Sequence, residues 1–81
     1  MQIIILTQDD KMLLNPQVIT TEERINDEYS IDGDFGKGSA MLGLYCCKGN
    51  MEEVMADFQN ALKQAIAERQ TAFYFEMPKY Y

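Results

Sequence analysis

The apolar residues of this chain fall into short runs separated by polar turns, a pattern typical of a small strand-rich domain. Three isoleucines and a leucine predict a first strand over 2–7. Because this run does not alternate with polar residues, we expect both faces of the strand to be covered, as in the centre of a sheet. The polar turn 8–11 and the apolar residues 12–14 predict the return strand of a β-hairpin. Pro16 interrupts that strand, and residues 18–19 resume it after a bend.

Two more strands are predicted on either side of a glycine-rich turn. Residues 22–31 alternate between apolar and polar side chains, and residues 40–47 form a second alternating segment. The turn between them, 32–39, contains three glycines that can take positive φ angles. Gly43 in the second strand predicts a bulge, or a place where another group packs closely on the sheet.

One amphipathic helix is predicted over 50–69. Its apolar side chains follow the i, i+3, i+4 spacing of a single stripe: Val54, Met55, Phe58, Leu62, Ala65 and Ile66. Asn50 as the N-cap and Glu53 three residues later match a capping box, with asparagine in place of serine or threonine. After the helix, residues 71–77 predict the last strand, which ends at Pro78.

The order β-β-β-β-α-β predicts an α+β fold, in which an antiparallel sheet of four to five strands carries one amphipathic helix packed on one face. With 81 residues the chain is expected to form a single domain over 1–81, since a second core does not fit in this length. No internal repeat and no linker interrupts it. A chain this small draws its core from one sheet face and the helix, or from a partner chain.

Acidic residues outnumber basic residues by 13 to 7, which gives a net charge of −6. A net negative chain repels the phosphate backbone, which argues against direct binding to nucleic acid. Residues 9–34 contain eight acids and two bases, 2 − 8 = −6, so this segment accounts for the whole net charge. Three interpretations of the segment stay open: a solvated surface, an electrostatic face for a basic partner, or a cation site.

Several patterns that resemble ligand-binding motifs fail on spacing. In a calcium-binding loop counted from Asp32, the positions for a ligand, a glycine and a bidentate acid hold Gly36, Lys37 and Gly43. The segment 36–39 lacks the earlier glycine and the following helix of a phosphate-binding loop. Because the chain has no histidine, Ser-His-Asp catalysis, Cys-His catalysis and histidine-ligated metal sites are excluded. We therefore expect no catalytic residue, no metal site and no cofactor, and a protein that is not an enzyme.

The two cysteines, Cys46 and Cys47, are adjacent in a predicted strand, so their side chains point to opposite faces and cannot chelate one ion. We expect one buried thiol and one more exposed thiol. Neighbouring cysteines close no loop, which is typical of a reducing compartment. The N-terminal apolar run is too short for a secretory signal or a membrane span, so we expect a cytoplasmic protein that does not bind membranes.

The candidate partner-binding residues are the acids of the middle segment and one tyrosine: Glu22, Glu23, Asp27, Glu28, Asp32, Asp34 and Tyr74. Tyr74 is chosen because it lies on the strand face opposite Phe73 and Phe75, which we expect to pack under the helix. Exposed tyrosines are frequent in binding surfaces, although packing at an edge strand explains the same pattern. Tyr80 and Tyr81 complete this aromatic cluster.

Three short motifs occur in a distinctive order: Thr7-Gln8-Asp9-Asp10-Lys11 after the first strand, Leu42-Gly43-Leu44-Tyr45 before the helix, and Glu76-Met77-Pro78 after the aromatic strand. In this order the chain resembles small, mostly uncharacterised single-domain proteins of Gram-positive bacteria and their phages. The resemblance covers most of the chain. It implies a compact α+β fold and an origin in a mobile element, and it transfers no catalytic residue.

The leading hypothesis is a non-enzymatic protein-interaction module, in which an edge or open face of the sheet meets a protein partner or a second copy of the chain as a homodimer. An alternative is a phage-type inhibitor whose acidic segment 9–34 blocks the basic nucleic-acid-binding groove of another protein. A second alternative is a small-molecule or cation binder. Steep salt dependence distinguishes the inhibitor from a hydrophobic dimer.

Overall fold

The computed structural model describes residues 1–79, so the predicted aromatic tail at Tyr80 and Tyr81 lies outside the described residues. Within this range the chain forms six strands, one 3₁₀ turn and one α-helix. In chain order they are β1 (Gln2–Leu6), β2 (Met12–Leu14), β3 (Val18–Glu23), the 3₁₀ turn (Ile25–Asp27), β4 (Tyr29–Asp34), β5 (Ser39–Tyr45), α1 (Lys48–Ala67) and β6 (Ala72–Glu76). The α+β class is confirmed.

The expected single antiparallel sheet of four to five strands is wrong, because the described strands form two sheets of three. Sheet A has the order β2-β1-β6, with β1 antiparallel to β2 and parallel to β6. Sheet B has the order β3-β4-β5 and is antiparallel throughout. The element order is therefore β-β-β-β-β-α-β, with one strand more than β-β-β-β-α-β before the helix.

The strand expected over 22–31 is two strands, because residues with left-handed backbone interrupt it. Asn26 and Asp27 have φ angles of 64° and 58°, and asparagine and aspartate tolerate this region better than other residues with a side chain. β3 ends before them at Glu23, and β4 begins after them at Tyr29. β3 also belongs to sheet B, so residues 18–19 do not resume the first hairpin.

The chain leaves sheet A at Asn15, which has a φ angle of 55°. The backbone N–H of Asn15 donates to the Ile3 carbonyl (2.8 Å), and its side-chain Oδ1 accepts from the Ile3 N–H (2.8 Å). The side chain thus takes the place of a backbone acceptor in the ladder. Pro16 follows with no N–H to donate, so β2 stops after three residues.

The predicted helix is present, but it begins two residues earlier than expected and without the capping box. Cys47 occupies the N-cap with no side-chain cap hydrogen bond, and Asn50 lies inside the first turn. At the other end Gln70 N–H donates to the Ala65 carbonyl (3.0 Å) and Arg69 N–H donates to the Ile66 carbonyl (3.0 Å). With Arg69 at a φ angle of 56°, this is a Schellman closure.

The core lies between α1 and the inner faces of both sheets, and its buried members come from all three: Ile5, Ile31, Leu42, Tyr45, Met51, Val54, Phe58, Ala65, Phe73 and Met77. Phe58 of α1 meets Phe73 and Phe75 of β6 edge to face, with ring centroids 5.6 Å and 5.2 Å apart. The expected packing of these two phenylalanines under the helix is therefore present. Ile66, expected in the buried stripe, is instead 59% exposed.

Gln8 joins the two sheets. Its backbone N–H donates to the Leu42 carbonyl (3.0 Å), and its side-chain Oε1 accepts from the Leu44 N–H (2.6 Å). Its Nε2 donates to the Pro78 carbonyl (2.9 Å), which also accepts from the Tyr45 hydroxyl (3.0 Å). The Gln8 side chain thus provides hydrogen-bond partners for backbone groups of β5 and of the segment after β6. Without Gln8, these backbone groups would need a further strand as their partner.

β5 contains the irregularity that Gly43 predicts. Gly43 pairs with Ile31 and Met41 pairs with Asp32, so Leu42 is an extra residue and the alternation of side chains is interrupted. Leu42 and Tyr45 are therefore both buried, although strict alternation over 40–47 would place them on opposite faces. The Tyr45 ring lies over Gly43, where an added Cβ would come within 2.7 Å of the Tyr45 hydroxyl oxygen.

Replacing Gly43 with alanine is expected to destabilise the fold by about 1–3 kcal/mol, because the new methyl group displaces a buried, hydrogen-bonded tyrosine. Gly49→Ala is the matched control. An added Cβ at Gly49 meets nothing within 4 Å, and the residue lies in α1, where alanine is favoured by up to about 1 kcal/mol. Urea unfolding midpoints measure both changes, and equal stability of the two variants would contradict this packing.

Candidate functional site

The outer face of sheet A carries an exposed apolar surface. Ile4 of β1 lies opposite Leu14 of β2 and opposite Tyr74 of β6. One step along the sheet, Leu6 lies opposite Met12. We call these five residues the open face. Met12, Leu14 and Tyr74 are 62%, 49% and 53% exposed, while Ile4 and Leu6 are half-buried by their strand neighbours.

The expectation that both faces of the first strand are covered is therefore wrong for its outer side. Ile3 and Ile5 pack on the core, whereas Met12, Leu14 and Tyr74 on the outer side of the sheet are exposed. β1 is nevertheless the central strand of its sheet, as predicted. Of the open face, the sequence predicts only Tyr74 as a contact residue. The sequence carries no signal for the others in β2, because Met12, Leu13 and Leu14 are all apolar, although only Leu13 packs on the core.

The six candidate acids lie on sheet B and its β3–β4 turn, and they do not form one surface. Glu22 pairs with Ser30, two residues from Asp32 and four from Asp34, so these three acids share the outer face of sheet B. Glu23 points to the opposite face. Asp27 and Glu28 lie in the turn between the strands.

Arg24 compensates part of the charge on that outer face. Its Nε donates to the hydroxyl of buried Ser30 (3.0 Å), which in turn donates to Asp32 Oδ2 (2.9 Å). Its Nη2 lies 3.6 Å from Asp32 Oδ1 and 4.0 Å from Glu22 Oε2. This network draws Asp32 into an internal contact and leaves its side chain only 15% exposed.

Tyr74 lies apart from the candidate acids. It belongs to sheet A and pairs with Ile4, whereas every candidate acid lies on sheet B or its turn. The structure therefore separates the predicted partner-binding residues into two groups. Tyr74 belongs to the open face, and the acids lie on sheet B and its turn, where Glu22 and Asp32 contact Arg24.

The β1–β2 turn fixes two further acids of the segment 9–34. The Thr7 hydroxyl donates to Asp9 and accepts from the Lys11 N–H (3.0 Å), and Lys11 Nζ lies 3.5 Å from the same carboxylate. The hydrogen bond from Thr7 holds the pKa of Asp9 below its ordinary value, with Lys11 acting in the same direction. Asp10 pairs with Lys79 at 3.2 Å. Both carboxylates thus already have partners within the described residues.

The expected pair of one buried and one exposed thiol is wrong, because Cys46 and Cys47 are both exposed. β5 ends at Tyr45, so the two cysteines lie in the bend before α1 and do not follow strand alternation. Among residues 1–79 no three histidine, cysteine or acidic side chains come together in an arrangement that could hold a metal ion.

No family model, curated protein or solved structure matches this chain. In the described part of the chain, no helix has the length and the apolar character needed to cross a membrane.

Thr7→Val is expected to raise the pKa of Asp9 toward its ordinary value, because the variant lacks the donated hydrogen bond. A carboxylate with a lowered folded-state pKa stabilises the fold above its unfolded-state pKa, and this stabilisation is lost as the pH falls through the folded-state value. The variant should therefore lose less stability on acidification. Thr7→Ser keeps the hydroxyl and is the control. NMR titration of the Asp9 carboxyl measures the change, and an unaltered midpoint in Thr7→Val would contradict this cause.

Proposed function

We propose that this chain is a non-enzymatic protein-interaction module of the cytoplasm and that the open face of sheet A is its contact surface. The observation that carries the proposal is the row formed by Leu14, Ile4 and Tyr74, which is apolar, continuous across three strands and open to solvent. Contiguous apolar surface of this kind on a small protein is typical of a site that binds another protein.

The composition of the open face supports this assignment. Tyrosine and methionine are enriched in the buried centres of protein interfaces, where a tyrosine combines a large apolar ring with a polar end. The side chain of Met12 is flexible and unbranched, a property that lets methionine fit the shape of a partner. Fully burying one leucine or methionine side chain contributes about 1.5–3 kcal/mol relative to leaving it in water. A partner that covers the open face therefore gains binding free energy from side chains that the isolated chain leaves exposed.

A second candidate function is the inhibitor whose acidic segment blocks a basic groove. Glu23, Asp27, Glu28 and Asp34 form no ion pair within residues 1–79, so they are available to a basic partner. This candidate comes second because Asp9, Asp10, Glu22 and Asp32 already lie beside Lys11, Lys79 or Arg24. Half of the eight acids in the segment are thus compensated internally.

Affinity capture from bacterial lysate at low and high salt tests the proposal. Leu14→Lys places a charge in the open face, while Ile66→Lys places the same charge at a similarly exposed apolar position on α1. The chain and the Ile66→Lys control are expected to retain the same protein at both salt concentrations. Leu14→Lys should weaken its retention at least about tenfold, equivalent to about 1.4 kcal/mol.

A third variant separates the two candidates. The change of Glu22, Glu23, Asp27 and Glu28 to lysine reverses the charge at the end of β3 and in the β3–β4 turn, and it leaves sheet A unaltered. If capture is lost at high salt and lost in this variant, but kept in Leu14→Lys, the inhibitor replaces the open-face proposal. Equal retention by every variant would contradict both.

A further inference from the structure

The exposed edges of the two sheets differ in how they resist pairing with another strand. β2 has three residues and ends beside Pro16, and β3 carries Glu22 and Glu23 at its end. Gln8 covers the outer edge of β5, where it forms hydrogen bonds with the backbone of Leu42 and Leu44. Short length, charge and coverage are the usual protections of a sheet edge.

β6 is less protected: it carries a single terminal charge, and no hydrogen bond within residues 1–79 reaches the backbone groups on its outer edge. It lies at the end of sheet A, and it contains five residues, no proline, no basic residue and one acid, Glu76, at its last position. Its sequence, Ala-Phe-Tyr-Phe-Glu, is of the kind that favours strand pairing. Among the described edge strands, β6 thus combines a full row of outward backbone groups with a single charge and no covering side chain from Gln8.

The hydrogen bonds to β1 fix which backbone groups of β6 face outward. Gln2 N–H donates to the Thr71 carbonyl (3.0 Å), and Met77 N–H donates to the Leu6 carbonyl (2.9 Å). Alternate residues of a strand direct both backbone groups to the same side, so the odd-numbered residues of this segment face β1. Ala72, Tyr74 and Glu76 therefore direct their N–H and carbonyl groups to the free edge.

We propose that β6 pairs antiparallel with β6 of a second copy of this chain, with a two-fold axis at Tyr74. The two copies of sheet A then form one sheet in the order β2-β1-β6-β6-β1-β2. This inference rests on the proposed function, because β6 is the edge of the sheet that carries the open face, and a second copy of the chain is the protein partner that it names.

The register at Tyr74 makes a second copy the best-matched occupant. With the axis there, Tyr74 pairs with its own counterpart and Ala72 pairs with Glu76 of the other copy, which forms about six inter-strand hydrogen bonds. An axis at Phe73 or Phe75 forms only about four. Glu76 meets a small neutral residue in this register, and the two Glu76 carboxylates stay apart.

Side chains on both faces of β6 also match across the axis. On the inner face, half-buried Phe75 lies beside Phe73 of the other copy, which extends the aromatic cluster around Phe58 across the interface. On the outer face, the row of Leu14, Ile4 and Tyr74 continues into the same row of the second copy. The acids that give the chain its charge lie mainly in 9–34, on other elements than β6.

Sedimentation velocity over a wide concentration range tests the association. The unaltered chain is expected to form dimers, and Tyr74→Pro should weaken dimerisation at least about tenfold, since proline removes an outward N–H and no bond to β1. Ile25→Lys, which places a charge at an exposed apolar position in the β3–β4 turn and outside sheet A, is the control and should dimerise like the unaltered chain. Circular dichroism verifies that both variants are folded.

Disulfide trapping tests the register without depending on Tyr74→Pro. In a background of Cys46→Ser and Cys47→Ser, one chain carries Ala72→Cys and another carries Glu76→Cys. Paired residues that exchange hydrogen bonds have Cα atoms about 5.5 Å apart, within reach of a disulfide. A mild oxidant should therefore cross-link the mixture efficiently and each variant alone poorly.

Three results would overturn the inference: a monomer at every concentration, a dimer that Ile25→Lys dissociates as readily as Tyr74→Pro, or cross-links that form equally in the separate variants. The proposed function fails separately, through equal lysate capture by the unaltered chain and Leu14→Lys. A monomer that still captures a protein through the open face contradicts only the edge pairing.

Discussion

One helix has to cover the inner faces of two sheets, and the remaining structure depends on that constraint. α1 has 20 residues, a length of about 30 Å, and it packs against β4, β5 and β6. It buries the apolar side chains that point inward from both sheets. No second layer lies over the outer faces within the described residues, so their composition decides how the molecule meets its surroundings.

The two outer faces differ in chemistry. Sheet B presents Glu22, Asp32 and Asp34, and Arg24 compensates two of these acids, as expected for a solvated surface. Sheet A presents an apolar row centred on Ile4 and ends at the unprotected strand β6. The two sheets are held together by Gln8 and the core, so a rigid framework supports the open face.

Local patterns predicted the elements whose stability is local. The helix over 50–69, the glycine-rich turn and the irregularity at Gly43 follow from spacing and backbone freedom, and each is present. The division into two sheets was not predictable in this way, because it depends on the positive φ angle at Asn15 and on the long-range bonds of Gln8. The positive φ angle at Asn26, which splits the predicted strand 22–31 in two, was likewise not visible in the pattern. A glutamine in a polar turn has the same local pattern whether it faces solvent or joins two strands. Within the candidate site, Tyr74 follows from alternation, but its neighbours Met12 and Leu14 depend on the register between strands.

The accessibility of methyl groups to a soluble paramagnetic probe tests the central claim that the outer face of sheet A is bare. In dilute solution the Met12 and Leu14 methyl groups should relax strongly, and those of Ile5 and Val54 should be protected. The exposed Ile66 methyl groups on α1 provide the reference for full access. Protection of Met12 and Leu14 equal to that of Val54 would contradict the account, since the open face would then be covered within the chain itself.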